Sequence, residues 1–363
     1  MTRRMSLAIA VALACSAAWR PSAQSSAAGQ SPAGAWHFVA SGDARNCGDI
    51  VAPAIAETAA HWNAAFYWHL GDLRRSTGTD EDIAHQPAHL GTALTLADYQ
   101  AMEWQDFIDS QIAPFGSRPY FIGIGNHEIN GTKTREEFVT TFTPWLDAPA
   151  LRAQRLKDTP SDTSVKAYYH WIDRGVAFYF LDNATNDQFA EAQLNWFQRL
   201  LTRDVADPAI TTIVAGMHKP LPDGYNIDHS MNESPTSTAT GRYVAGLLLQ
   251  AQNGGHKRVY VLASHQHFYM EDAYDTPYWK DHGGVLPGWV VGTAGAVRYS
   301  LPMPSPKIAM TNVYGSLLGT VQPNGEIQFE FQEIHEPDVP ATVVQRYGQE
   351  FVHWCFASNT QAR

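Results

Sequence analysis

The stretch Tyr120-Phe-Ile-Gly-Ile-Gly125-Asn126-His127-Glu128 decides how the chain is read. Its apolar start, rich in aromatic and β-branched residues, reads as a buried strand. Glycine breaks the run, and three polar residues follow at its C-terminal tip. The same arrangement recurs along the 363 residues. Gly42-Asp43 follows an apolar run over 36–40, and Gly71-Asp72 follows one over 65–70. His218 follows a run over 210–215, and His265-Gln266-His267 follows one over 258–263. A further run lies at 288–291, and helical periodicity appears at 191–201 and 241–250. Asp173-Arg174-Gly175 and Pro323-Asn324-Gly325 each separate two strand-like runs, as hairpin turns do. The expected class is α/β, with parallel and antiparallel strands in mixed sheets.

Loops at the C-terminal ends of strands in such sheets are where ligands bind. Here those tips carry Asp43, Asp72, Asn126, His218, His265 and His267. Oxygen and imidazole donors without thiolates suit transition metals such as Mn, Fe or Zn. Any one Gly-Asp pair is an ordinary turn dipeptide. The signal lies in five polar tips, each after a strand-like run.

Composition narrows the class. Asp plus Glu is 36 against 25 for Lys plus Arg, a net charge of −11, which disfavours a nucleic-acid partner. The first 23 residues place Arg3 and Arg4 before a short apolar run and then small residues, the layout of a secretory signal peptide. Cleavage there removes three arginines and no acid, taking the charge from −11 to −14. Residues 24–34 read as a flexible leader, and 35–363 as one domain, secreted or periplasmic. Lipid anchoring through Cys15 is a minor alternative. No stretch after the leader is long and apolar enough to span a bilayer. Cys47 and Cys355 are either a disulfide or two buried thiols. His37, His69 and His170 lie inside strand-like runs and read as structural, and the His85/His89 pair lacks a third ligand. Oligomeric state is left open.

The ordered series Gly42-Asp43, Gly71-Asp72, Gly125-Asn126-His127-Glu128, Gly216-Met217-His218, Ser264-His265-Gln266-His267 resembles the calcineurin-like metallophosphoesterases. Leu181-Asp182 followed by Gln193-Leu194-Asn195-Trp196-Phe197 is most similar to their purple-acid-phosphatase-like branch. The resemblance covers roughly residues 36–335 and implies a four-layer α/β/β/α sandwich with two mixed β-sheets. It further implies two metal ions, drawn from Mn, Fe or Zn. Asp43 and His267 would hold the first, and Asn126, His218 and His265 the second, with Asp72 bridging. It implies hydrolysis of a small phosphorylated substrate, a mono- or diester, by attack of a metal-bound hydroxide. His127 would protonate the leaving oxygen or stabilise the transition state. A metal- or phosphate-binding relative without turnover is the alternative.

Two positions depart from the pattern. Where many members have Asp-x-His, this chain has Asp43-Ala44-Arg45. Where the purple phosphatases have Gly-Asp-x-x-Tyr, it has Gly71-Asp72-Leu73-Arg74-Arg75. Arginine stays protonated and offers only donors, so it cannot ligate a metal. Arg45, and less directly Arg74 and Arg75, could instead hold phosphate, or pair with Asp49, Asp80 or Asp82. Lys219 and His229 are further substrate-binding candidates, His229 within a long polar loop at 222–240 that could act as a lid. The first metal is expected to be the weaker-bound. With no tyrosine at the second motif, the iron-loaded protein should show no tyrosinate charge-transfer band in its visible spectrum.

Overall fold

The computed structural model describes residues 34–361, apart from residue 92 and residues 185–187. The expected signal peptide, Cys15 and all but the last residue of the expected leader lie outside the described residues. The strands form two mixed sheets. The first contains β1 (Trp36–Ser41), β2 (Tyr67–His69) and β3 (Tyr120–Ile122) in parallel. The second contains β4 (Tyr169–Asp173), β5 (Val176–Leu181), β6 (Thr212–Met217), β7 (Arg258–Ala263), β8 (Tyr269–Met270), β9 (Gly288–Val291) and β10 (Ala309–Met310). The hairpin of β11 (Tyr314–Val321) and β12 (Ile327–Ile334) returns to the first sheet, where β11 pairs antiparallel with β1. The sheet orders are β12-β11-β1-β2-β3 and β10-β8-β9-β7-β6-β5-β4.

Large rings fill the space between the sheets. Phe38 meets Phe178 edge-on at 5.4 Å, Phe121 stacks on Trp171 at 4.2 Å, and Trp68 meets Trp171 at 5.2 Å. Each fully buried aromatic or aliphatic side chain contributes roughly 1.5–3 kcal/mol. Their bulk requires gaps opposite them. A Cβ on Gly216 would sit 2.3 Å from the Trp68 ring, so this glycine of β6 admits the indole just before His218. Helix Gly48–His61 buries Ile50, Val51 and Ile55 against the first sheet's outer face. Helices Glu191–Ala206 and Pro235–Asn253 bury Phe197, Leu200, Val244 and Leu248 against the second. The result is the expected four-layer sandwich.

Both hairpins form where the turn residues put them, with Arg174, Gly175 and Gly325 at positive φ. β2 and β3 are shorter than their apolar runs, because the chain leaves the ladder early to turn into the site. The polar stretch at 222–240 is only half a loop. Pro235 opens a helix whose N-cap, Ser234, accepts a bond from Ser237 N at 3.1 Å.

Cys47 and Cys355 are disulfide-bonded across 308 residues of sequence. Beside them Asn359 donates to Gly295 O and Tyr314 Oη, and Arg298 donates to the carbonyls of Asn312, Phe356 and Asn359. The chain's last described residues are thereby fastened next to its first strand–loop unit. Closing so long a loop constrains the unfolded chain. Replacing both cysteines by serine should lower the unfolding free energy by about 2–5 kcal/mol, read by denaturant titration, and reductant should shift the wild type to match.

Candidate metal centre

The two sheets bring their strand ends to one edge of the sandwich. Asp43 N donates to Gly71 O at 3.0 Å and Ala44 N to Asp72 O at 2.9 Å, which joins the loops after β1 and β2. His265 N donates to Asp43 Oδ2 at 2.6 Å, which ties the second sheet's loop to the first. Asp43, Asp72 and His265 all adopt positive φ (62°, 59° and 67°). Such left-handed backbone at a non-glycine residue costs about 1–3 kcal/mol and persists only where the surroundings enforce it. Glu128 supplies part of that enforcement. Its buried carboxylate accepts from the N–H groups of Gly125, Asp72 and Leu73 at 2.7–2.9 Å. Gly125 must be small, since a Cβ there would lie 2.3 Å from Asp72 Oδ1.

Four acceptor atoms converge at the second position. His218 Nε2 lies 2.9 Å from His265 Nδ1, 3.1 Å from Asn126 Oδ1 and 3.2 Å from Asp72 Oδ1. His218 Nδ1 faces the Leu70 carbonyl at 3.2 Å and the Ser264 hydroxyl at 3.0 Å, so it carries a proton and leaves Nε2 to the cluster. Ligands bonded at about 2.1 Å to one ion stand roughly 3 Å apart. Atoms of Asp43, Asp72, His218 and His265 all lie within 4.8 Å of one another, and all four residues are buried. Asp43 Oδ1 and Asp72 Oδ2 are buried with no hydrogen-bond donor. Such orphaned carboxylate oxygens, beside imidazole and amide acceptors, fit a divalent cation.

The first position differs. His267 Nε2 is 3.1 Å from Asp43 Oδ1, but it also accepts from Arg45 Nη2 at 2.8 Å. Arg45 Nη1 donates to His127 Nε2 at 2.7 Å, and Arg45 Nε lies 3.6 Å from Asp72 Oδ2.

Solved structures share this architecture. PPD1, a purple acid phosphatase from yellow lupin (Lupinus luteus) seeds, superposes with a TM-score of 0.55 at 16% identity, over 84% of this chain and 52% of its own. PhoD superposes at 0.51 and 13% identity, over 89% of this chain and 77% of its own. The chain has the metallophosphoesterase fold. It spans about half the length of the lupin protein. GAP50, the anchor in the inner membrane complex of Plasmodium, superposes at 0.47 with 12% identity over 91% of this chain and 97% of its own. No family model matches the chain, and no curated protein matches it.

Burial dominates the electrostatics of this metallophosphoesterase-fold site. It opposes ionisation of Asp72, but the adjacent His218 and His127 imidazoles and the Arg45 guanidinium outweigh it and hold the carboxyl far below its usual range. Burial also opposes protonation of His218, which Asp72 overcomes, raising its pKa. His265, His267 and His127 are all lowered by burial, which favours neutral imidazoles with free lone pairs. Glu128 is pushed up to about 8 by burial and the Asp72 charge, against three N–H donors that favour its carboxylate.

The remaining candidates divide. Arg75 turns its half-exposed guanidinium to Glu81 at 3.5 Å, away from the cluster, while its carbonyl accepts from His127 Nδ1 at 2.6 Å. Arg74 is fully buried and paired with Asp49, Asp82 and Asp106. Lys219 Nζ meets Glu233 at 2.5 Å. His229 lies beside the cluster, its ring 5.3 Å from that of His265, and Gln266 donates to the carbonyls of Asn226, Asp228 and His229 to hold the loop. His69 sits beneath the site as a neutral acceptor for Gly71 N, its pKa pushed down to about 3 by burial. His37, His170 and His85 bond to Thr320, to Asp158 and to Glu81 O, all elsewhere.

Two contributors had no assignment from the sequence. Tyr299 stacks on His267 at 4.0 Å, with no motif around it to announce it. Glu128 stands inside the quoted Gly-Asn-His-Glu stretch, where a carboxylate three residues after a turn glycine was the available sign. Glu128→Gln should weaken divalent-cation affinity about 10–100-fold, measured calorimetrically with Mn(II), without changing the far-UV circular dichroism.

Proposed function

We propose that the chain is a secreted or periplasmic metal-dependent phosphoric ester hydrolase, acting on small phosphate mono- or diesters through one domain at 35–363. The observation that carries this is the convergence of Asp72, Asn126, His218 and His265 on one point, with the orphaned oxygens of Asp43 and Asp72 beside it. A cation there would act as a Lewis acid on phosphoryl oxygen and lower the pKa of water. Mn, Fe and Zn all suit these donors. Of the two expected ions, the one at Asp72, Asn126, His218 and His265 is supported by these contacts, while at the other position Arg45 donates to His267.

The chain's own groups supply the rest. Arg45 brings a permanent positive charge to the edge where a phosphate would develop charge. His127 keeps Nδ1–H on the Arg75 carbonyl, so any proton it gives or takes moves at Nε2. Beside the cluster a cavity of about 770 Å³, lined by Tyr225, His229, Phe268 and Tyr299 among others, has room for the organic part of a small substrate. The disulfide supports an oxidising compartment. Among the described residues no helix is long and apolar enough to cross a membrane.

A relative that binds metal or phosphate without turnover is the second reading, favoured by Arg45 at a ligand position. Aryl phosphate and bis-aryl phosphate assays with Mn(II), Fe or Zn(II) separate the two. Asn126→Ala and His265→Ala should each reduce hydrolysis at least 100-fold while the circular dichroism is kept, by analogy with the loss of an electrostatic stabiliser. Undiminished turnover in either variant would remove the site assignment.

A further inference from the structure

We infer that the Arg45 guanidinium stands in for the first metal, so that the centre pairs one divalent cation with one fixed organic cation. The inference rests on the proposed cation at Asp72, Asn126, His218 and His265.

Three acceptors face the guanidinium, two of them, His267 and Asp72, expected at the first ion. His267 Nδ1 is tied to the Val297 carbonyl at 2.6 Å and His127 Nδ1 to the Arg75 carbonyl at 2.6 Å. Each imidazole therefore presents a lone pair at Nε2, and each lone pair is met by an Arg45 N–H, at 2.8 and 2.7 Å. The third acceptor is Asp72 Oδ2, 3.6 Å from Arg45 Nε. His267 also stands outside the group of ligand atoms that gather within 4.8 Å, although Asp43 is inside it. An ion bound there can take Asp43 as a further ligand without recruiting His267.

The guanidinium is built in. Arg45 is 8% exposed, and its neighbour Asn46 is held by Asp80 Oδ1 at 2.9 Å and by Glu81. Two residues on, Cys47 is locked by the disulfide. A divalent ion placed at His267 would have to displace this arginine or share its space with a like charge, and arginine cannot lose its proton to relieve the conflict. Guanidinium neutralises oxyanions and fits two phosphoryl oxygens at once, but it has no lone pair or empty orbital with which to bind water as a metal does. The arrangement divides the labour. The cation at the second position is the only Lewis acid, and Arg45 is a charge that does not dissociate.

The test is a metal count on the full chain, made apo with chelator, loaded with excess Mn(II), desalted, and examined by elemental analysis and low-temperature electron paramagnetic resonance. Wild type should retain one equivalent with the hyperfine-split signal of an isolated ion. Arg45→His should retain two, with a spin-coupled signal, and Arg45→Gln should stay at one. Two equivalents in the wild type would overturn the inference while leaving the metal-dependent reading intact, and so would an Arg45→His variant that folds but stays at one. A folded wild type that retains no Mn(II), Fe or Zn(II) would overturn the metal reading itself. If Arg45→His does not fold, the wild-type count alone decides.

Discussion

Two carboxylates, Asp43 and Asp72, are wholly buried, and each has an oxygen that no donor reaches. Uncompensated buried charge is expensive, so a fold that keeps both must bring positive charge to them. The surroundings are arranged to that end. Arg45 supplies one cation, and His218, the neighbouring imidazoles and Asn126 offer lone pairs for another. The loops, the left-handed backbone and the small residues beneath them follow from having to crowd so many acceptors together.

The sandwich makes that crowding possible. Parallel strands from two sheets end at one edge, and the aromatic layer between them sets how closely those edges approach. Trp68 shows the linkage. Its ring fills the gap left by Gly216, one residue beyond which β6 ends and His218 begins the site, while its indole N–H donates to Tyr169 at 3.2 Å. Large core rings and small residues at the tips are two sides of one packing solution.

Much of this was legible in the sequence. Near-continuous apolar runs mark buried strands irrespective of where they pair, and polar residues at their ends stand out by contrast, so the six residues from Asp43 to His267 stand out together in the sequence. Short strands such as β8 and β10 escaped because two residues carry no periodicity. The helix from Pro235 was hidden in a polar stretch whose only helical sign was Ser234-Pro235. The pairing of Cys47 with Cys355 could not be decided from spacing, since it depends on the return of β11 beside β1. Arg45 stands out as a departure from the motif, but its contacts with His127 and His267 depend on where three separate loops end. Arg75, adjacent to an equally basic neighbour, could not be distinguished from it until Glu81 was seen beside it.

The fastening of Cys355 to Cys47, two residues beyond Arg45, also sets a schedule. β1 takes β11 as its antiparallel partner, and Cys47 takes Cys355, so the first residues of the site wait for residues as many as 308 positions further along the chain. Contacts of such long range form late and slowly in folding. A chain emerging from the ribosome can assemble the β5-β6-β7 portion early, but the pocket around Asp43 and Arg45 closes only after Cys355 has been delivered and an oxidant has acted on the pair. Closure of this pocket is therefore a late step of folding that also depends on oxidation.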